Sequence, residues 1–171
     1  MLKLIFSIII VASLTWLGHE YAMKLANRPR YIRIWKHALQ ILEAEIVYSH
    51  ETIKEAMYRV YHQIEPPVNQ LFQCVADNIQ PDKEELYPIW QEQLDLFGRS
   101  YALNNQDIDI LQQFGRTLGQ HDVIQQQKYI RLAIQHLERS LEEADQQKLR
   151  YGNMSRSIGF LVGVFIVLLL L

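Results

Sequence analysis

Two apolar runs, one at each end of the chain, constrain its fold more than any other feature of the sequence. Residues 2–17 read LKLIFSIIIVASLTWL and carry a single charge at Lys3. Residues 158–171 read IGFLVGVFIVLLLL and carry no charge. A core helix of a soluble domain is usually apolar on one face, whereas these runs are apolar on every face. The pattern therefore predicts a membrane anchor helix at each end of the chain.

Both runs are short for a membrane span, since a bilayer core of about 30 Å takes about 20 apolar residues. Flanking residues would lengthen them, so we predict anchors over residues 1–27 and 151–171 and a helical domain over residues 28–150. The second anchor continues the last long helix. A signal peptide is the alternative for the first run, with Val11-Ala12-Ser13 as a poor cleavage site. Because the apolar run continues past that site to Leu17, we favour an uncleaved anchor.

Basic residues orient the two predicted anchors. They follow the first run at Lys24, Arg28, Arg30, Arg33 and Lys36, and they precede the second at Lys148, Arg150 and Arg156. The positive-inside rule then places residues 28–150 in the cytoplasm and both termini across the membrane. Basic residues beside a membrane also attract anionic lipid. We take Arg28, Arg30, Arg33 and Lys36 as candidate contacts for lipid or for an acidic partner.

Between the two ends, apolar residues recur every three or four positions, which indicates a series of amphipathic helices. The first such face is Ile32, Trp35, Leu39, Leu42 and Ile46. Pro29 is predicted to interrupt the chain before this face, and Thr52 with Glu55 forms a capping box that starts the next helix. Pro67 can start another helix, and Pro88 fits only a first turn. No alternation typical of strands occurs, so the sequence predicts an all-α fold.

The last helix is predicted to be the longest. No proline follows Pro88, so a helix that begins near Val123 can run unbroken to Leu171. Within it, apolar residues alternate spacings of four and three, at Ile130, Ile134, Leu137, Leu141 and Ala144. This seam covers barely two heptads, so we expect it to pack on the protein's own helices rather than to pair two chains.

Composition and motifs argue against several classes of function. The formal net charge of −2 gives no reason to expect nucleic-acid binding. The single cysteine, Cys74, cannot form an internal disulfide and fits a core position. The six histidines form no H-E-x-x-H ligand pair, and the phosphate-binding G-x-x-x-x-G-K and the hydrolase G-x-S-x-G are absent. We therefore predict no metal, no cofactor and no catalytic residue.

Two acidic residues in LEAEI, Glu43 and Glu45, also fail as an acid/base pair. They are two positions apart, which places them on different faces of a helix. Either could be a polar anchor inside a helical bundle, although a solvated position suits Glu45 better.

The segment FGRTLGQHD, which begins at Phe114, resembles an active-site loop because a glycine turn brings a histidine beside an aspartate. A helical corner explains the same residues. Gly119 suits the positive φ found just past a helix end, and Asp122 with Gln125 suits the N-cap and third position of the next helix. We predict a tight helical hairpin with His121 as an exposed turn residue. An enzyme that used His121 and Asp122 would also need a nucleophile within hydrogen-bond reach.

Short stretches along the whole chain carry a resemblance to a known family. They are the opening MLKLI, Thr15-Trp16-Leu17-Gly18, Arg28-Pro29-Arg30, Leu42-Glu43-Ala44-Glu45-Ile46, Glu55-Ala56, Trp90, FGRTLGQHD, Gln126-Gln127, Ile130-Arg131-Leu132-Ala133 and Leu137-Glu138. In this order and at this chain length, they resemble the stage III sporulation protein AB family of endospore-forming bacteria. Each stretch alone is weak, and their joint occurrence is specific.

The resemblance implies a fold and a cellular role. The fold would be a cytoplasmic six-helix bundle like the cytoplasmic domain of type II secretion F proteins, with N- and C-terminal transmembrane helices. The protein would lie in the mother-cell membrane around the forespore, as one subunit of a channel complex that supports the engulfed forespore. Its partners would be the complex's ATPase, stage III sporulation protein AA, and the other channel subunits. The resemblance implies no catalytic residues.

One departure concerns assembly. Secretion platform proteins usually hold two such bundles and three anchors, whereas this chain holds one bundle. A symmetric assembly would then have to come from a homo-oligomer.

Two functional hypotheses follow. The first is a non-enzymatic platform subunit of the sporulation channel. The alternative is a generic membrane-tethered helical adaptor or scaffold, which the two anchors and the helical middle suggest by themselves. An operon shared with a secretion-type ATPase would favour the first.

Overall fold

Helices make up the regular structure of the chain. The computed structural model describes the backbone of residues 2–49, 51–79, 86–120 and 122–170, and side chains at 13, 16–20, 22–49, 51–79, 86–120 and 122–150. The helices are α1 (Leu2–Ala44), α2 (Ile53–Gln63), α3 (Val68–Asn78), α4 (Leu86–Ser100), α5 (Asn105–Thr117) and α6 (Val123–Leu170), with a π-helical turn, Glu45–Ser49, after α1. These six α-helices, without a strand in the described ranges, confirm the all-α prediction.

The chain divides into two compact units, one formed by Met1–Pro29 with Glu143–Leu171 and the other by Arg30–Glu142. In the first unit, the Arg28 Nη1 atom donates a hydrogen bond to Gln147 Oε1 at 3.0 Å. The second unit holds most of the buried apolar side chains. This second unit is called the helical domain below.

Pro29 does not interrupt the chain, so that prediction was wrong. It lies inside α1, which continues to Ala44. A proline inside a helix costs about 3 kcal/mol, because it removes one backbone hydrogen bond and crowds the preceding turn. Downstream of Pro29, the apolar face of α1 and of the π-helical turn is fully or almost fully buried, at Ile32, Trp35, Ala38, Leu39 and Leu42 of α1 and Ile46 of the turn. Burial of these side chains offsets the cost of the proline.

The predicted starts of the short helices are confirmed. Glu55 N donates to Thr52 Oγ1 at 3.3 Å, and Thr52 N donates to Glu55 Oε2 at 3.2 Å, which completes the capping box of α2. Pro67 is the N-cap residue of α3, and Pro88 is in the first turn of α4. The α2 helix begins where side chains bond free backbone N–H groups. The α3 and α4 helices begin near a proline, which has no backbone N–H that needs a partner.

Aromatic rings from four helices meet in the core of the helical domain. The ring of Trp35 on α1 lies 5.6 Å from Phe72 on α3, between centroids. It lies 5.9 Å from Trp90 on α4, and Trp90 in turn lies 5.6 Å from Phe114 on α5. The ring planes cross at 47°, 74° and 78°, within the tilted and edge-to-face range that aromatic pairs prefer.

A glycine allows α5 to approach Trp90 closely. The Trp90 Nε1 atom donates to the backbone oxygen of Leu111 at 2.9 Å, so the buried indole N–H is satisfied. A Cβ atom built at Gly115 would lie 2.5 Å from that same Nε1 atom. The indole ring thus occupies the space that a side chain at Gly115 would need.

The long last helix is confirmed as far as Leu170, and Leu171 lies outside the described residues. Its seam residues Ile130, Leu137, Leu141 and Ala144 are buried, which agrees with packing on the protein's own helices.

Most side chains of the two predicted anchors, residues 1–27 and 151–171, lie outside the described part of the structure. The membrane-spanning role of these segments stays a prediction. Among the residues whose side chains the structure describes, no helix combines the length and the apolarity needed to cross a membrane.

We expect Gly115→Ala to lower the free energy of unfolding by about 1–3 kcal/mol, because the added methyl group overpacks against the Trp90 ring. Gly98→Ala on α4 is the matched control. A Cβ atom there would meet only the flexible end of Ile108, at 3.0 Å. Since alanine is favoured over glycine in a helix by about 1 kcal/mol, Gly98→Ala should be neutral or stabilising. Urea unfolding followed by circular dichroism measures both, and equal losses in the two variants would contradict the packing argument.

Candidate functional site

The four basic residues that the sequence singles out differ in how far they reach solvent. Arg28, in the first unit, is only 5% exposed. In the helical domain, Arg30 and Arg33 are exposed on α1. Lys36 is half-buried and pairs with Glu138 of α6. Contact of these residues with lipid or a partner stays a prediction, and Arg30 and Arg33 offer the most accessible charge.

Arg30 is held only weakly by its neighbour. Its Nη2 atom lies 3.4 Å from Glu65 Oε2, and both side chains are more than half exposed. Ion pairs in water contribute about 0–1 kcal/mol, so an acidic partner could displace Glu65 from Arg30 at little cost.

Glu43 joins α1 to α6. Its Oε1 atom accepts hydrogen bonds from Gln127 Nε2 at 2.9 Å and from Arg131 Nε at 2.6 Å. Together with the pair between Lys36 and Glu138, these contacts fix the two helices in antiparallel register within the helical domain. Glu43 is therefore the polar anchor that the sequence allowed. Glu45 is half-buried in the π-helical turn that follows.

The corner between α5 and α6 has the predicted geometry. Gly119 adopts φ of +82°, a left-handed conformation that side chains disfavour. The Asp122 Oδ1 atom accepts from Gln125 N at 2.8 Å, as the N-cap of α6 should. The two helices end at Thr117 and begin at Val123, so the segment is a helical hairpin. His121 lies outside the described residues, and its exposure stays a prediction.

Several titratable groups in the described ranges make contacts between helices. No three His, Cys, Asp or Glu residues among them come together as a metal site. The hydrogen bond from Tyr58 on α2 to the Asp77 carboxylate on α3 raises the pKa of that tyrosine. The phenol therefore stays protonated to a higher pH than that of a free tyrosine.

A buried acid on α5 was not predicted from the sequence. Asp107 is fully buried. Its Oδ2 atom accepts from Asn104 N at 3.0 Å, and its Oδ1 atom accepts from the Ser140 hydroxyl of α6. The spacing of Asn104 and Asp107 could have revealed the cap. No local pattern connects Asp107 with Ser140, which lies 33 positions later.

Known proteins of one family are similar to this sequence along almost its whole length. The family model described as stage III sporulation protein AB matches residues 3–171. The stage III sporulation protein AB of Bacillus subtilis (strain 168) is 39% identical over 171 residues, which is 100% of both chains. A solved structure of a stage III sporulation protein AB (SpoIIIAB) has a TM-score of 0.66 at 38% identity, covering 72% of this chain and 98% of that one. The name of this family refers to a stage of sporulation and to no enzymatic activity. The chain therefore belongs to the stage III sporulation protein AB family.

Proposed function

We propose that this chain is a non-enzymatic membrane platform subunit of a sporulation channel between mother cell and forespore. Its helical domain would dock the cytoplasmic ATPase of the channel, a stage III sporulation protein AA, and contact the other subunits. The observation that carries this proposal is the family match over residues 3–171, which includes the helical domain and both apolar ends.

Exposed apolar side chains support the membrane part of the proposal. In the first unit, Trp16 is 74% exposed, Leu17 is 60% exposed and Leu149 is 84% exposed. Exposed large apolar side chains beside basic residues, here Lys24 and Lys148, fit the boundary between a membrane and water, where tryptophan is enriched. The protein would lie in the mother-cell membrane around the forespore as a two-pass protein with its helical domain in the cytoplasm.

The polar contacts between α1 and α6 support the platform role. A platform must keep its shape when a motor acts on it, and Glu43 and Lys36 tie α1 to α6 in one register. Exposed Arg30 and Arg33 on α1 leave charge available for an acidic surface of the ATPase.

The topology can be tested with cysteine labelling. In a chain carrying Cys74→Ala and Arg99→Cys, a membrane-impermeant maleimide should label position 99 only after spheroplasts are permeabilised. The reason is that the positive-inside rule places the helical domain in the cytoplasm. Leu2→Cys in the same background is the control, and it should be labelled in intact spheroplasts. Labelling of position 99 from outside would contradict the topology.

ATPase docking can be tested by charge reversal on the full-length chain. We expect Arg30→Glu with Arg33→Glu to weaken binding of the purified ATPase about tenfold at low salt, because complementary charge steers association. Arg99→Glu, an exposed arginine on α4, should leave binding unchanged. Surface plasmon resonance at two salt concentrations measures both. Equal effects would show that net charge, rather than this face of α1, governs the interaction.

The cellular role is tested by deleting the gene in the bacterium that encodes it. We expect sporulation to stop after engulfment, with few heat-resistant spores, because the channel would lack its platform. The full-length chain should restore spore formation, and so should His121→Ala, since the corner is a structural hairpin. Normal sporulation in the deletion strain would overturn the proposed function, and failure of His121→Ala alone would reopen the enzyme hypothesis.

A further inference from the structure

A groove with an apolar floor runs between α5 and α6 of the helical domain. Its volume is about 160 Å³, and its lining residues are Ile110, Gln113, Phe114, Thr117, Tyr129, Leu132, Ala133 and His136. An apolar cavity of about 150 Å³ accepts a benzene ring. The groove is therefore large enough for one leucine or aromatic side chain.

The floor of the groove is apolar, whereas its edge carries both polar and apolar side chains. Phe114 and Ala133 form the floor and are almost fully buried. The Thr117 hydroxyl donates to the Phe114 backbone oxygen at 2.8 Å, so this polar group is already bonded. Leu132 stands at the edge and is 45% exposed. A partner side chain in the groove would bury the exposed part of Leu132.

Two cations flank the groove along α6. Lys128, Leu132 and Arg139 are separated by four and seven positions, so they share one exposed face of the helix. Lys128 and Arg139 are about 16 Å apart along the helix axis, or roughly three turns. Within the described part of the chain, neither cation is paired with a carboxylate.

Two exposed carboxylates, Glu142 and Glu143, follow Arg139 by three and four positions on α6, and the other nearby carboxylates are directed elsewhere. Glu138, the one acidic residue in positions 123–141 of α6, pairs with Lys36. On α5, Asp107 is fully buried, and Asp109 lines a separate depression against α4. The groove thus combines an apolar floor with one cation of α6 beyond each end, Lys128 and Arg139, and no carboxylate in its lining.

We propose that this groove docks an acidic amphipathic helix of another protein. One leucine or phenylalanine would insert between α5 and α6, and carboxylates about three turns apart would pair with Lys128 and Arg139. The inference rests on the proposed function, because it names a surface through which the platform would bind another subunit of its complex.

A designed peptide tests the groove directly. The probe is a helix of about 15 residues, roughly four turns, with a central leucine and glutamates spaced three turns apart around it. One matched peptide has alanine at the centre, and another has glutamine in place of each glutamate. With the full-length chain in lipid nanodiscs, we expect saturable binding of the probe that weakens as salt increases. Both matched peptides should bind about tenfold more weakly, because each lacks one of the two kinds of contact.

Variants of the chain assign the binding to this groove. Leu132→Ala and Arg139→Glu should each weaken probe binding about tenfold, because each removes a central contact. The controls are Leu96→Ala and Arg99→Glu, which change an exposed leucine and an exposed arginine on α4 and should leave binding unchanged. Circular dichroism checks that all four variants keep their helices.

The outcomes separate this inference from the proposed function. Absence of saturable binding, or equal effects of the variants on α6 and α4, overturns the groove as a docking site. Self-association that Leu132→Ala abolishes, without peptide binding, also overturns it and assigns the groove to a second copy of the chain. Either result leaves the platform role standing if deletion of the gene still blocks sporulation. Normal sporulation of the deletion strain would instead remove the proposed function, whatever the peptide does.

Discussion

The contact between Trp90 and Gly115 is the constraint on which the helical domain depends. The indole N–H bonds the Leu111 backbone oxygen, and the ring fills the space left by the missing side chain of Gly115. The same ring packs against Trp35 of α1 and Phe114 of α5. The Trp90 ring thus sets the distance between α4 and α5. Because α5 is held there, Phe114 forms part of the floor of the groove, and the corner at Gly119 can connect α5 with α6. The position of each candidate surface therefore follows from one aromatic core.

Polar contacts then select the register of the helices around that core. Apolar packing alone tolerates small shifts, whereas a buried carboxylate without a partner costs several kcal/mol. Asp107 finds its partners only when Asn104 caps α5 and Ser140 of α6 lies opposite. Glu43 makes a weaker demand of the same kind between α1 and α6 through Gln127 and Arg131, because it is only partly buried. In any other register of the helices, each carboxylate would lose a hydrogen-bond partner, and the folded state would be less stable.

The sequence predicts the features that depend on neighbouring residues. The capping box at Thr52, the glycine at 119 and the buried face of α1 all follow from local spacing, and the structure agrees with each. Pro29 was misjudged because a local rule was applied where burial of a long apolar face outweighs it. The contact of Trp90 with Gly115 and the bond of Ser140 to Asp107 join residues that are 25 and 33 positions apart. No periodicity encodes such pairs, and the groove that depends on them was equally invisible.

The charges on the helical domain belong to separate helices. Arg30 and Arg33 are exposed on α1, whereas Lys128 and Arg139 flank the groove on α6. The contacts of Glu43 with Gln127 and Arg131 join these two helices. Under the proposed function, the placement of the charges on separate helices lets one rigid domain hold two acidic partners together. One partner would be selected by surface charge alone and would dissociate readily in salt. The other would also require an inserted apolar side chain, so its affinity would fall with salt less steeply than that of the first partner.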